Sequence, residues 1–447
     1  MQITEFQEEL LSKAIDAGFQ EAEVYYERSE SFQCMIFEGE IDSYETSEEG
    51  GLGLRGLYNG KMGYAYTEKI DEDSIPFLIE SAKANANVLD EDDGSDIFGG
   101  SKDYANHTFF SEELANIQVP EKIELIKSIE KKVLAYDSRI VTLNYCVLQD
   151  FSGDRILANS KGLSLKEKKN GIVIFISAVV KDGEEMKTGS FIKLTRDFGS
   201  LDADKIAKEA AEEALSYLGE QSIPTRRYPI IMRHDAAASL LATFTPIFSA
   251  ENTQKDQSLL KGKVGKKVAS DIFTLLDDPF HSDAVAGSNF DGEGVATKTR
   301  SIVSNGTLET LLHNRKTAKI DGVETTGHAH KTSYKSTLTI APLNMFIAPG
   351  EKSQDDLIAS LDNGVLITNL AGLHSGTNTI SGDFSVAATG FHIKDGKISS
   401  PVKQMTIAGN FFDLINDIEE IGSDLHFRPG GYGSPSLRVK ELSVTVD

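Results

Sequence analysis

The sequence predicts an α+β protein with N-terminal antiparallel sheets and flanking helices, followed by a C-terminal barrel-like antiparallel β domain. Three observations predict it. The N-terminal half alternates amphipathic helical runs with β-rich runs punctuated by turn residues. A break made of Gly219 and of Ser222, Ile223, Pro224 and Thr225 then interrupts the helical pattern, because Gly and Pro both end helices. Beyond it, short apolar stretches are separated by Gly292-Glu293-Gly294, Asn305-Gly306, Asn363-Gly364, Ser381-Gly382 and Asp395-Gly396, the spacing of closely connected strands. The division that follows is an N-terminal unit at 1–220, with sub-units at about 1–100 and 101–220, and a β-rich C-terminal unit at 221–447.

In chain order, Ile3, Phe6, Leu10, Leu11, Ala14 and Ile15 recur at helical spacing and stop before Gly18, which predicts an opening amphipathic helix. Runs at 22–28, 32–37 and 52–58 read as strands, and Asn59-Gly60 is the residue pair a type I′ hairpin turn requires, with 64–67 as the return strand. A helix follows over about 74–89 and runs into the acidic cluster 90–96, which reads as a solvated loop. Val119-Pro120 suits the first turn of a helix carried by Ile123, Ile126, Ile129 and Val133. From 141 to 195, turn signals at 150–153, 159–162, Asn170-Gly171 and Asp182-Gly183 predict a meander, closed by a helix over 204–218. In the C-terminal unit a strand at 228–232 enters a helix whose first turn holds His234 and Asp235, and helices at about 353–361 and 411–421 interrupt later strands.

Composition excludes several classes of function. With 447 residues and 40% hydrophobic content, the chain can bury a large core. Its 45 basic against 69 acidic residues leave a formal charge of −24, which repels phosphate backbones and anionic lipid, so neither nucleic acid nor membrane is an expected partner. Cys34 and Cys146 form no C-x-x-C pair and are too few for a disulfide scaffold. The longest apolar run, 171–180, is too short to span a bilayer and the N-terminus lacks a basic region, so a soluble cytoplasmic protein is expected.

The segment at His234 holds the most informative chemistry. A zinc helix needs a second histidine about one turn after the first, because only residues three to five apart reach one ion from one helix face. After His234 and Asp235 come Ala236, Ala237, Ala238 and Ser239, and the next histidine is His281. His328 and His330, with Glu324 nearby, are the other inventory; they read either as two ligands of a site lacking its third or as a polar strand end lining a cleft. The turn at 290–294 carries two carboxylates without the ligand spacing of a calcium loop and reads as a tight turn. Gly51, Gly53 and Arg55 alternate with Leu52 and Leu54 as a strand does, and the glycines allow backbone or a bound peptide to pack close to the sheet. No Gly-x-Ser-x-Gly elbow marks a serine nucleophile.

Taken in order, Gly51-Leu52-Gly53-Leu54-Arg55 with Gly60 and Gly63, the stretch 290–295, Thr325-Thr326-Gly327-His328, the stretch 380–384, Pro401-Val402, the stretch 406–410 and Ile421-Gly422-Ser423-Asp424 resemble the TldD/PmbA family, also known as modulators of DNA gyrase. The resemblance runs from about residue 21 to the C-terminus. It implies a scaffold whose TldD-type members are zinc peptidases, with ligands from a His-Glu-x-x-x-His helix and a cysteine in a late glycine-rich loop. Here His234 matches the first position, Asp235 stands for Glu and Ser239 for the second histidine, and the loop 424–435 has no cysteine. The resemblance therefore implies a TldE/PmbA-type subunit that binds no cofactor itself and pairs with a TldD-type zinc subunit or forms a homodimer. Its implied part is in a proteolytic complex acting on unfolded or leader peptides fed as extended strands, with Gly51, Gly53, Arg55 and His328 lining the peptide path and no catalytic residue of its own. Two other classes stay open: a free-standing metallopeptidase built on His234, His328 and His330, and a protein-binding regulator of the gyrase-modulator type.

Overall fold

The computed structural model describes residues 2–89 and 95–446, so the acidic residues at 90–93 lie outside the described residues. Six strands, β1 (Glu21–Phe37), β2 (Glu40–Tyr58), β3 (Lys61–Thr67), β4 (Ile140–Asn159), β5 (Ser164–Asp182) and β6 (Glu185–Thr195), form one antiparallel sheet in the order β3-β2-β1-β4-β5-β6. Its N-terminal and central parts are joined by β1 and β4, which pair from Glu23 with Asn159 to Met35 with Val147.

These strands are longer than the sequence suggests. The runs at 22–28 and 32–37 are one strand, and the signals at 150–153 and at Asn170-Gly171 lie inside β4 and β5 rather than at turns. The reason is tertiary. A Cβ on Gly171 would stand 2.6 Å from the Phe151 ring, and the Asn170 amide exchanges 2.8 Å hydrogen bonds with the backbone of Ser111, docking a passing segment. Asn59-Gly60 does form the expected hairpin, with φ of 52° and 77°.

Helices cover one face of the sheet. Even-numbered residues of β1 and their partners on β2 point to that face, so Ala22 and Val24 of β1 and Leu52 and Leu54 of β2 pack under α1 (Ile3–Asp16) and α2 (Ser74–Asn87). Further along, Cys34, Ile36, Cys146, Leu148, Ile172 and Ile174 are covered by α3 (Glu112–Asn116), α4 (Val119–Tyr136) and α5 (Ala203–Ser216). Gln118 and Glu121 form a capping box at the start of α4 with Pro120 in the first turn, as the sequence implies.

The C-terminal unit is built on a closed barrel. Asn363–Ala371, β7 (Arg226–Met232), Leu437–Val446, Met405–Asn410 and Asp383–Lys394 pair in sequence, and the ring closes because Asp383–Lys394 also pairs with Asn363–Ala371. One neighbouring pair, β7 with Asn363–Ala371, is parallel, which the long intervening chain permits. Gly364 is therefore part of a strand; a Cβ there would meet the Pro229 carbonyl at 2.9 Å. The expected helix over 411–421 is a short helix, Phe411–Asn416, followed by a strand, Ile418–Ile421, paired with Leu437–Val446. A second sheet contains Leu275–Asp277, Met345–Ile347 and the late-loop strands His426–Arg428 and Tyr432–Ser434. Between this sheet and the barrel lies α6 (His234–Phe244), with Leu240, Leu241 and Phe244 in the core.

Candidate functional site

The strand alternation that gives the helices an apolar face leaves ionisable side chains on the other. Odd-numbered Glu23, Tyr25 and Glu27 of β1 stand opposite Arg55, Gly53 and Gly51 of β2 and opposite Asn159, Leu157 and Arg155 of β4. Arg155 in turn faces Glu167, and Gly153 faces Lys169, on β5. This charged face is covered by the C-terminal unit. Arg155 donates to Phe290 O at 2.5 Å, Asn289 N donates to Glu167 Oε1 at 2.8 Å, and Arg55 Nη1 stands 3.8 Å from Glu293 Oε1.

Between the two units lies a cavity of about 310 Å³, lined by Glu27, Arg155, Lys169, His330 and Lys331 among others. A second, of about 450 Å³, opens beyond Lys331 toward Gly53, Tyr64 and Phe77. Burial pushes the Lys169 ammonium down to about 8, with Arg155 adding to the effect. Lys331 is likewise pushed down to about 8 by burial and then by Arg55. Burial and the Arg155 and Lys169 charges lower His330 too. On the acidic side, burial raises the Glu27 carboxyl, and burial together with Glu293 raises Asp291. The site thus combines cations that give up protons easily with carboxyls that hold them.

The sequence candidates are distributed around this cleft. Gly51 and Gly53 are covered by the chain's own segment at 331–336: a Cβ at Gly51 would lie 2.3 Å from the Tyr334 ring, and one at Gly53 2.4 Å from the Tyr334 carbonyl. Arg55 is 3% exposed and bonds Glu23 at 2.6 Å. His328 is also buried, its Nε2 3.0 Å from Asp277 Oδ2 and its Nδ1 2.7 Å from Thr326 Oγ1, while Asp277 Oδ1 accepts from Leu343 N and Asn344 N. His330 lines the same cavity. Glu324 instead faces Arg300 electrostatically. Sequence reasoning missed Glu27, Arg155, Lys169 and Lys331, whose shared location is visible only once strand register is known.

At the start of α6, His234 meets a residue the sequence reading had not singled out. His426, from the late loop, lies against it at a tilt, with ring centroids 4.9 Å apart and ring planes at 49°. Asp235 Oδ1 is 3.1 Å from His234 Nδ1, and Asp235 Oδ2 is 2.9 Å from Arg233 Nη2. Burial alone raises the Asp235 carboxyl, but the neighbouring His234 and Arg233 outweigh it and hold the group well below the usual carboxylate range. Ser239 Oγ donates to the Asp235 carbonyl at 2.6 Å, and Arg428 donates to the same oxygen at 3.3 Å. This donor set does not fit zinc. The imidazoles lie against each other, the carboxylate is paired with a guanidinium, and among the described residues no group of three or more His, Cys, Asp or Glu side chains is arranged to hold a metal ion.

Fold and site together place the chain among proteins built as an open sheet clasped to a closed barrel, and sequence comparison specifies which. Models of three successive domains of the PmbA/TldA metallopeptidase family match it: domain 1 over 22–86, the central domain over 112–218 and the C-terminal domain over 225–446. The chain belongs to this PmbA/TldD family. It is 33% identical to a Thermotoga maritima protein described as a candidate modulator of a DNA gyrase, over 99% of this chain and 100% of that one, with a TM-score of 0.92. It is 28% identical to the metalloprotease PmbA homolog of Haemophilus influenzae, over 87% of this chain and 84% of that protein. TldE from Thermococcus kodakarensis shares the fold, with a TM-score of 0.90 at 24% identity over 98% of this chain and 100% of that one.

Proposed function

We propose that this chain is a TldE/PmbA-like, non-catalytic subunit of a cytoplasmic two-subunit zinc peptidase, whose metal is carried by a TldD-type partner and whose substrates are unfolded or leader peptides. The observation that carries the reading is the α6 N-terminus. Arg233 and Arg428 crowd Asp235, and Ser239 occupies the position one turn on, which supports a reading in which the α6 N-terminus does not carry a peptidase zinc. Membership of a metallopeptidase family supports a proteolytic context, and among the described residues no helix is long and apolar enough to cross a membrane. In this reading the chain contributes peptide-binding surface, and an extended peptide is held through its main chain with little demand on sequence.

The test is a peptide-cleavage assay of the purified chain alone, of a zinc-bearing TldD-type subunit alone, and of the two mixed. Cleavage that requires the mixture and is abolished by chelator is the expected result. Chelator-sensitive cleavage by this chain alone, lost in His234→Ala, overturns the proposal.

A further inference from the structure

The Lys331 ammonium is unusual for a cation in this position. It forms part of the wall of both cavities, above the rings of Tyr25 at 5.1 Å and Tyr64 at 5.9 Å. Among the described residues no carboxylate lies within ion-pair distance of it, and its nearest hydrogen-bond acceptor is the Ser336 carbonyl at 3.5 Å. The neighbouring strong cations Arg155, Arg55 and Lys169 each have a direct ion pair, although Arg55 Nη2 is left without a hydrogen-bond partner. Arg155 is used by Glu167, Ser288 and Phe290, Arg55 by Glu23, and Lys169 lies 3.2 Å from Glu167. Glu23, Glu27 and Glu293 act on this ammonium from beyond contact distance and Arg55 opposes them, so in a protein with a net charge of −24 one largely enclosed ammonium lines the cleft without a direct ion pair.

We propose that the cleft between the sheet and the C-terminal unit is a receptor for a single peptide carboxylate, with Lys331 as its counter-ion, Lys169 as a second positive charge in the wall and His330 as a neutral imidazole beside them. The inference rests on the peptide-binding reading above and names the group that anchors the peptide. Several features select a carboxylate over a phosphate. Glu27, Asp154, Glu167 and Asp291 line the same cavity and oppose a dianion, and Arg155, which would otherwise offer a bidentate fork, has its donors engaged. The volume of about 310 Å³ suits one terminal residue. Apolar surface from Tyr25, Phe290 and Pro342 is available to the adjoining side chain. The Glu27 Oε2 atom is buried without a partner, and burial raises the proton affinity of its carboxyl, which weakens its repulsion of a single negative charge.

The carboxylate can come from a peptide C-terminus or from an acidic side chain, and binding to the full chain by itself, measured calorimetrically, separates them. The probes are an acid-free hexapeptide with a free C-terminus, the same peptide amidated, and an amidated version with one internal Glu. The receptor requires that the free-acid or the Glu peptide bind tighter than the uncharged one, that Lys331→Met erase that advantage, about tenfold to a hundredfold, and that Lys331→Arg keep most of it. The advantage also falls as pH rises through 8 to 9, where Lys331 loses its proton. Equal affinity for all three peptides, or an advantage untouched in a folded Lys331→Met protein, overturns the inference. Because no zinc subunit is present, carboxylate-dependent binding without cleavage in the mixed assay rejects only the partner reading, and the reverse pattern rejects only the receptor.

Discussion

Replacing Arg55 by leucine tests whether the charged inner face is held together by pairing. Arg55 and Glu23 are 3% and 1% exposed and their Nε–Oε1 distance is 2.6 Å, while Glu293, 4% exposed, is the second acid at 3.8 Å. Truncating one member of such a buried set strands the remaining carboxylates in a medium that solvates them poorly, at a cost of about 3–5 kcal/mol. That is a large fraction of the roughly 5–15 kcal/mol that separates a folded domain from its unfolded chain. Urea unfolding followed by circular dichroism at pH 8 and pH 5.5 measures it. The pH dependence carries its own sign. Burial already raises the Glu293 carboxyl and Arg55 opposes that rise, so in Arg55→Leu its folded-state affinity for a proton climbs further above the unfolded value. The folded variant then binds more protons than the unfolded one, its stability falls as pH rises, and the gap to the parent is wider at pH 8 than at pH 5.5. The double variant Arg55→Leu/Glu23→Leu recovers part of the loss. A loss below about 1 kcal/mol, or one independent of pH, refutes the pairing argument.

Gly53→Ala places a methyl 2.4 Å from the Tyr334 carbonyl and must displace the 331–336 segment, so a loss of about 1–3 kcal/mol and faster amide exchange in that segment are expected. Arg233→Met removes the two hydrogen bonds that the Arg233 guanidinium donates to the Glu213 carboxylate, at 2.8 and 2.9 Å, which tie α5 to the start of α6; a loss of about 1.5–3 kcal/mol and quicker proteolytic nicking at 219–225 follow. Lys331→Met stabilises the fold at pH 7. Its folded-state proton affinity is depressed below the unfolded one, so the penalty is present below pH 8 and disappears as pH climbs past the ordinary lysine range, where the variant's advantage in thermal midpoint vanishes.

How much of this was legible in the sequence depends on whether a residue answers a local or a distant demand. Asn59-Gly60, Asn305-Gly306 and Asp395-Gly396 are read correctly because a type I′ turn needs positive φ at both positions, and all six residues have it. Asn170, Gly171 and Gly364 carry the same letters for another reason, to dock Ser111 or to admit Phe151 and the Pro229 carbonyl, and no local pattern announces that. The site follows the same rule. The alternation of Leu52 and Leu54 with Gly51, Gly53 and Arg55 already implies a second face, but Glu27, Arg155, Glu167 and Lys169 come to that face from three strands whose register only the structure supplies. His426 reaches His234 from the far end of the chain, through a loop whose sequence carries no local sign of that contact. Once the register is known, buried charge becomes the sharper signal. A sheet face that carries ions under a second unit is tolerable only when they are paired, and Arg55, Arg155 and Lys169 are paired. Lys331 breaks that rule among the described residues, and a rule kept at three neighbouring cations and broken at the fourth locates the place where the fold accepts a cost in order to bind something.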